Sequence, residues 1–259
     1  MCPAALQYRQ DLHGRELIVL SVTYLHHSGF FVETDRHILL FDYFRDHAPE
    51  DGTLGDGVFH PEEYAGKRLA LFVSHHHVDH FDPVIFEWAK NRPDTLYFVG
   101  KDVRRVPGNI QHVFRMRSGD VKAEGGVEVT ALRSTDDGVA FIVQVDGVLL
   151  YHAGDLNDWR WEGEPEADNA HMTAAYLKEM EKLKEMRFDA AFVPVDPRQG
   201  ADMKEGLRGF LAAAEAAHIF PMHFWGDFSV CSAVAEDSAL QRNGMIIHQI
   251  AGKGEQFKL

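Results

Sequence analysis

The stretch Phe72-Val-Ser-His-His-His-Val-Asp-His-Phe-Asp82 follows a continuous apolar run and decides the fold of this chain. It contains the pattern His-x-His-x-Asp-His, from His75 to His80. Imidazole nitrogen and carboxylate oxygen are usual ligands of zinc in proteins. On an extended backbone His75 and His77 point the same way, because side chains alternate across a strand. A tight turn brings Asp79 and His80 to a second point nearby, so the pattern predicts a buried strand ending in a loop that holds parts of two metal sites.

Three further segments place histidine or aspartate beside a predicted strand: Tyr24-Leu-His-His-Ser-Gly-Phe30, Tyr151-His-Ala-Gly-Asp155 and Pro221-Met-His-Phe224. Together with the His-x-His-x-Asp-His loop, they make most of the chain resemble the metallo-β-lactamase fold hydrolases. The His-Ser-Gly-Phe hairpin and the form His-Ala-Gly-Asp-Leu-Asn are most similar to the branch that contains the ascorbate-phosphate lactonases. The resemblance implies a metallo-β-lactamase-like four-layer αββα sandwich of the α/β class, with residues 1–259 forming a single hydrolase domain.

The resemblance also implies a set of metal ligands. One cation, Zn²⁺ or Mn²⁺, would bind to His75 and His77, a second to Asp79, His80 and His223, and both to Asp155. Asp79 would also act in catalysis, by orienting the attacking water and accepting its proton. His27 is the second catalytic candidate, because a histidine in this loop lies near the metal centre in the family. A hydrogen-bonded hairpin histidine is the alternative for His27.

One segment departs from the family pattern. The family usually supplies another histidine to the first metal between the two aspartate motifs, and the matching stretch here is Arg133-Ser-Thr-Asp-Asp-Gly138. Asp136 or Asp137 could take the place of this histidine, since carboxylate oxygen is a sound ligand for Zn²⁺ or Mn²⁺, and water is a third possibility. The sequence therefore predicts one or two bound ions.

The predicted function is metal-dependent hydrolysis of a small-molecule ester, lactone or phosphodiester by a metal-bound hydroxide. A bound cation lowers the pKa of water towards about 7, and a second cation polarises the scissile group. The alternative is a non-catalytic member of the same fold, a sensor or a degenerate enzyme that has lost turnover with the missing histidine. Nuclease action is disfavoured by the acidic composition.

Composition limits the class of protein and of partner. The 259 residues carry a formal net charge of -14, which argues against a nucleic-acid partner because binding to phosphates needs basic surface. No apolar run approaches the roughly 18–20 residues that span a bilayer, and the first residues lack the layout of a secretory signal. The only cysteines, Cys2 and Cys231, cannot form a disulfide framework. We therefore expect a cytoplasmic protein with a small-molecule substrate and no membrane partner.

The order of the other elements predicts a mixed α/β chain, with β-meanders first and alternating strands and helices later. Strands are predicted at residues 17–24, 30–33, 37–41, 95–99, 110–115, 126–132, 139–145, 148–151, 188–195, 218–222 and 245–250. Helices are predicted at residues 83–90, 174–186, 203–217 and 232–243, and loops at 45–67 and 156–171.

Five residues or segments outside the ligand pattern have candidate roles. Asp42 is expected to support the metal-binding loop from behind. His152 could donate to a leaving oxygen, although an outer supporting position is the preferred interpretation. Asp196 is expected near the rim of the pocket in a structural role, and Arg198 is the nearest cation for an anionic substrate group. The cluster Trp159-Arg-Trp161 could line an apolar wall or pack in the interior.

Overall fold

Two seven-stranded β-sheets face each other in the structure, a computed structural model that describes residues 20–49 and 51–259. The strands of this described part are β1 (Ser21–His26), β2 (Gly29–Glu33), β3 (His37–Phe41), β4 (Arg68–Val73), β5 (Leu96–Gly100), β6 (Val113–Met116), β7 (Val121–Glu124), β8 (Val127–Arg133), β9 (Val139–Val145), β10 (Val148–His152), β11 (Arg187–Pro194), β12 (Glu215–Met222), β13 (Ile246–Ile247) and β14 (Gln256–Lys258). Cys2 and the predicted strand start at residues 17–19 lie outside the described residues.

The helices are α1 (Glu166–Met180), α2 (Glu205–Ala213) and α3 (Ser229–Ala235), and 3₁₀ segments cover Leu54–Asp56, Pro61–Tyr64, Pro83–Lys90, Glu181–Leu183 and Pro197–Asp202. The first sheet has the order β14-β1-β2-β3-β4-β5-β6, and the second has the order β13-β12-β11-β10-β9-β8-β7. Strands β3 to β6 are parallel in the first sheet, and β10 to β13 are parallel in the second. The carboxyl ends of parallel strands share one edge of a sheet, where α/β proteins place their ligands.

Both faces of the first sheet are buried, which explains its continuous apolar strands. Along β2, Phe30 and Val32 face the core between the sheets, whereas Phe31 faces outward against Phe59 and Tyr64. Helices α1 and α2 cover the outer face of the second sheet, where Tyr176 and Phe210 are fully buried. Together these layers form the predicted αββα sandwich of the α/β class.

Several predicted boundaries differ from the structure. Helix α1 begins at Glu166, inside the predicted loop 156–171, and ends at Met180. Pro165 precedes α1 and acidic residues occupy its first turn, a helix-start signal that its weak apolar periodicity obscured. The helix predicted to end at residue 217 ends at Ala213, because Glu215 already pairs with β11. The alanine-rich stretch between them fits either helix or strand.

The two sheets meet at the end of β4. The backbone N–H of Val139 donates to the carbonyl of Ser74 at 3.1 Å and joins the start of β9 to the residue after β4. Gly138 has φ +75°, and a Cβ atom there would lie 2.1 Å from the Ser74 carbonyl oxygen. Glycine is therefore required at this junction. Across the described residues, no helix has both the length and the apolar character needed to cross a membrane.

Candidate metal centre

The loop of residues 74–80 follows β4 and is called the metal loop below. Ser74 Oγ donates to Asp42 Oδ2 at 2.7 Å, so it accepts a hydrogen bond from His75 Nδ1 at 2.9 Å. His75 Nε2 therefore carries a lone pair. This atom lies 2.9 Å from Nδ1 of His77, so the two rings face a common point, as the alternation of the strand predicts.

Asp155 lies just after β10, with its carboxylate between two groups of imidazoles. Its Oδ2 is 3.5 Å from His75 Nε2. Its Oδ1 is 3.2 Å from His80 Nε2 and 3.5 Å from His223 Nε2. The preceding Gly154 has φ +51° and would bring a Cβ atom to 2.7 Å from Ser74 Cβ. The close approach of β4 and β10 therefore sets the position of this carboxylate.

The hydrogen bonds behind the imidazoles fix which nitrogen faces Asp155. His80 Nδ1 donates to Asp42 Oδ2 at 2.8 Å, and His223 Nδ1 donates to Asp196 Oδ2 at 3.0 Å. A neutral imidazole that donates from Nδ1 has only a lone pair at Nε2. Within the described chain, neither His80 Nε2 nor Asp155 Oδ1 has a hydrogen-bond partner, although both are buried. Buried acceptors that face one another fit a cation between them, so these residues suit a divalent metal ion.

A second group of ligand atoms adjoins this carboxylate. His27, Asp79, His80 and His223 each offer one ligand atom within 4.8 Å of the others. His27 lies in the turn between β1 and β2, and its Nε2 is 3.4 Å from Asp79 Oδ2. His27 has φ 53° and His223 has φ 64°. Left-handed backbone at non-glycine residues is uncommon and is concentrated at functional sites, because the surrounding structure must hold it.

The turn between β8 and β9 separates the two aspartates that the sequence left as alternatives. Asp136, His77 and Asp155 offer three ligand atoms within 4.8 Å of one another. Asp137 instead places Oδ2 3.3 Å from His77 Nε2 and has a side chain that is 51% exposed. Asp137 groups with His76 and His77, away from Asp155. The two neighbours thus fall into different groups around His77, and only the group of Asp136 includes Asp155.

The electrostatics of the cluster show a shortage of positive charge around buried carboxylate. Burial raises the pKa of Asp155 to about 7, although the neighbouring His80 lowers it. Burial alone would lower the pKa of His80, but Asp155 and Asp42 raise it to about 9, so without a cation this imidazole holds a proton, which a bound metal ion would replace. Burial lowers the pKa of His75 to about 2 and that of His223 to about 4. These two imidazoles are therefore neutral at physiological pH, the form that binds metals.

A cavity of about 450 Å³ opens over this cluster. Its volume lies in the range of small-molecule sites, about 300–1,000 Å³. It is lined by His77, Asp79, Thr135, Asp136, Asp155, Trp159, Trp161, Met172, Arg198, His223 and Trp225. Several ligand candidates and three tryptophan side chains therefore line the same cavity.

A sequence profile of the β-lactamase superfamily domain matches residues 21–164, more than half of the chain. The chain belongs to the β-lactamase superfamily. It is 26% identical over 222 residues to a metal-dependent hydrolase of Pyrococcus furiosus, covering 80% of this chain and 85% of that protein. A metal-dependent hydrolase of Alkaliphilus metalliredigens is 25% identical over 243 residues, covering 88% of this chain and 96% of the relative.

A solved structure with low sequence identity shares the fold. Igni18, a metallo hydrolase from Ignicoccus hospitalis, superposes with a TM-score of 0.62 at 18% identity, covering 93% of this chain and 98% of that chain. This likeness supports the predicted metallo-β-lactamase fold. The assignment to the ascorbate-phosphate lactonase branch stays a prediction.

The three residues with predicted supporting roles are all buried, although Asp196 was expected near the rim of the pocket. Asp42 is fully buried behind the metal loop, and Asp196 is fully buried behind His223. His152 is also fully buried: its Nε2 donates to the carbonyl of Ser28, and its Nδ1 accepts from the backbone of Gly154. With both nitrogens engaged, His152 cannot donate to a leaving group, so its supporting role is the correct interpretation.

Sequence reasoning missed Trp225, which lines the cavity two residues after His223. Its indole Nε1 donates to Asp196 Oδ2 at 3.2 Å. An aromatic residue in the loop just after a ligand-bearing strand was the available signal. Met172 gave no such signal, because it lies on the mainly polar α1.

Proposed function

We propose that this chain is a metal-dependent hydrolase of a small-molecule ester, lactone or phosphodiester. The observation that carries the proposal is the shared carboxylate of Asp155, with one oxygen facing His75 and the other facing His80 and His223. The chemistry of these donors matches divalent zinc or manganese. The names of the Pyrococcus and Alkaliphilus relatives, both metal-dependent hydrolases, support the same reaction class.

The proposed ligands form two sets that share Asp155. The first set is His75, His77, Asp136 and Asp155, and the second is Asp79, His80, His223 and Asp155. Asp136 joins the first set because its ligand atom groups with His77 and Asp155. We assign Asp137 a positioning role, since its Oδ2 lies 3.3 Å from His77 Nε2, while Nδ1 of the same ring lies 2.9 Å from His75 Nε2.

These residues would hold divalent cations, whose Lewis acidity would make water acidic enough to lose a proton near neutral pH. Asp79 is ionised under these conditions: burial opposes its charge, but His27 and His80 hold the pKa of its carboxyl below the ordinary value. Its position on the cavity wall lets it orient a water and accept the proton. Burial lowers the pKa of His27, so its imidazole is neutral and can hold Asp79 or contact substrate.

Two finer proposals rest on the same residues. The His-Ala-Gly-Asp-Leu-Asn form at residues 152–157 favours the lactonase-like branch, so lactones belong among the first substrates tested. We also propose that residues 1–259 form a single domain. One core cluster contains strands of both sheets and all three helices of the described chain, which supports this proposal.

A chelation assay with matched variants tests the proposed function. The protein is treated with EDTA, assayed on a panel of aryl esters, lactones and phosphodiesters, and reconstituted with Zn²⁺ or Mn²⁺. Activity should disappear with chelation and return with metal, and Asp79→Ala should lower kcat by at least about a hundredfold. Asp35→Ala, which changes an exposed aspartate in the β2–β3 turn, is the control and should retain activity. Activity that survives chelation contradicts the proposal, and tight metal binding without turnover favours the non-catalytic alternative.

A further inference from the structure

A cationic aromatic surface forms one side of the cavity over the candidate metal centre. We call Arg198, Trp161 and Trp225 the arginine wall. The Arg198 guanidinium carbon lies 4.4 Å from the ring centre of Trp225 and 5.8 Å from that of Trp161. Contacts of a guanidinium with aromatic rings are favourable and hold its plane in place. All three residues line the cavity that also contains Asp79 and Asp155.

One nitrogen of the Arg198 guanidinium is available to donate hydrogen bonds to a ligand. Its Nε and Nη2 donate to the Asp196 carboxylate, whereas Nη1 has no hydrogen-bond partner among the described residues. The side chain is 51% exposed, so the free edge is reachable from solvent. Of the described residues that line the cavity, Arg198 is the only lysine or arginine. An oxyanion in this cavity therefore has one protein cation to bind.

Asp196 links the arginine wall to the proposed metal ligands. Its Oδ2 accepts from His223 Nδ1 at 3.0 Å, from Trp225 Nε1 at 3.2 Å and from Arg198 Nη2 at 2.5 Å. The carboxylate is fully buried, so these three side chains are held in a fixed relation. A group bound at Arg198 consequently lies at a defined and short distance from His223.

We propose that the arginine wall binds an oxyanion, carboxylate or phosphate, carried on a flat apolar group of the substrate. The proposal rests on the proposed function: the scissile bond would lie over the candidate metal centre while the anionic end rests against Arg198. The planar guanidinium matches the geometry of carboxylate and phosphate, and Trp161 and Trp225 offer ring surfaces for a flat group. The substrate class is then a small anionic ester or lactone with an aromatic or unsaturated ring.

Binding of matched ligands tests this inference without any need for turnover. Protein reconstituted with Zn²⁺ is titrated with benzoate, phenyl phosphate and benzamide, and tryptophan fluorescence is followed because three tryptophans line the cavity. Benzamide has the shape of benzoate without the charge. The same titrations are done on Arg198→Met, on Arg198→Lys and on Arg104→Met, an exposed arginine outside this cavity.

Wild type and Arg104→Met should bind an anion at least about tenfold more tightly than benzamide, the difference expected of a hydrogen bond to a charged group. Arg198→Met should abolish that preference, and Arg198→Lys should keep part of it because the charge remains but the planar fork is lost. The stronger of the two anions identifies carboxylate or phosphate as the preferred group. Trp225→Leu should weaken the binding of benzoate and the binding of benzamide by a similar factor. This variant provides a second measurement if Arg198→Met does not fold.

Two results overturn the inference. A preference for anions that persists in Arg198→Met means that the oxyanion binds the metal ions instead. Equal binding of benzoate, phenyl phosphate and benzamide to wild type means that the cavity does not select anions. An Arg198-dependent preference in a protein that hydrolyses no member of the panel contradicts the proposed function alone, so the two failures are distinguishable.

Discussion

The Asp155 carboxylate lies close to three imidazoles, and the Nδ1 atom of each imidazole already forms a hydrogen bond. His75, His80 and His223 donate to Ser74, Asp42 and Asp196, which turns each Nε2 lone pair towards the carboxylate. Partners behind metal-bound histidines commonly change metal affinity by about 10–100-fold. We therefore expect Ser74, Asp42 and Asp196 to matter nearly as much for metal binding as the proposed ligands that they orient.

Asp136 and Asp137 have different proposed roles, Asp136 as a metal ligand and Asp137 as a positioning residue. In Asp136→Asn we expect the protein to lose about one equivalent of metal, because a charged ligand of the first set is removed. In Asp137→Asn both ions should remain bound with affinity lowered by about tenfold, because only the orientation of His77 is affected. Elemental analysis after dialysis measures both. Full metal content in Asp136→Asn together with a loss in Asp137→Asn would reverse the two roles.

The sequence predicted much of the candidate site but not its full arrangement. The spacing from His75 to His80, together with Asp155 and His223, is enough to select residues that the structure brings together. Asp136 and Asp137 have equal chemistry in sequence, and only the path of the β8–β9 turn distinguishes them. The contact of Trp225 with Asp196 was equally hidden, because the two residues lie on different loops.

At the scale of elements, the carboxyl ends of β4 and β10 and the start of β9 determine where the proposed ligands come together. Their apolar strands could be predicted, because both faces of the sheets are buried and the sequence runs are continuous. The contact between the end of β4 and the start of β9 could not be predicted from periodicity. It depends on Gly138, which lets the backbone of the β8–β9 turn lie against Ser74.

Substitution of Gly138 tests the importance of this contact between β4 and β9. Gly138→Ala should lower the free energy of unfolding by about 2 kcal/mol more than Gly119→Ala, since both have positive φ but only Gly138 would clash with backbone. Gly119 has φ +88° and open space around it. Urea denaturation of the two variants measures the difference. Equal destabilisation would show that the close approach to Ser74 is not needed.

A second link joins the sheets at the opposite ends of these strands. Asp146, in the β9–β10 turn, accepts from Thr34 Oγ1 at 2.7 Å, from His37 Nδ1 at 2.9 Å and from Arg36 Nε at 2.8 Å. Burial alone would raise the pKa of Asp146, but these donors lower it from 3.8 to about 2. The ionised carboxylate therefore stabilises the folded chain above the unfolded pKa, and this contribution is lost as pH falls towards about 2.

Because the pKa of Asp146 is lowered in the folded chain, the effect of Asp146→Asn on stability should depend on pH. The variant should be less stable than wild type by about 1–2 kcal/mol near neutral pH, and the difference should shrink as pH falls from about 5 to about 2. Urea denaturation at several pH values measures it, with Asp35→Asn as the exposed control from the neighbouring turn. A difference that is constant or grows on acidification would contradict the ion-pair account.

At the scale of the whole molecule, the two sheets bring distant parts of the chain to one edge. The metal loop belongs to the first sheet, and Asp155 and His223 follow strands of the second. Family resemblance predicted this layered fold. The predicted bounds of α1 and α2 were wrong, because the sequences of these helices have weak or ambiguous periodicity. The cavity walls depend on loops that have no readable pattern.

The central claim is that this architecture holds two divalent ions through a shared Asp155. The most direct measurement is elemental analysis of protein purified without a histidine tag, with Asp155→Ala beside wild type. We predict about two equivalents of zinc or manganese in wild type, because both oxygens of Asp155 face histidine ligands, and a loss of both in the variant. An absence of bound metal in wild type after reconstitution, or full metal content in Asp155→Ala, would contradict the account.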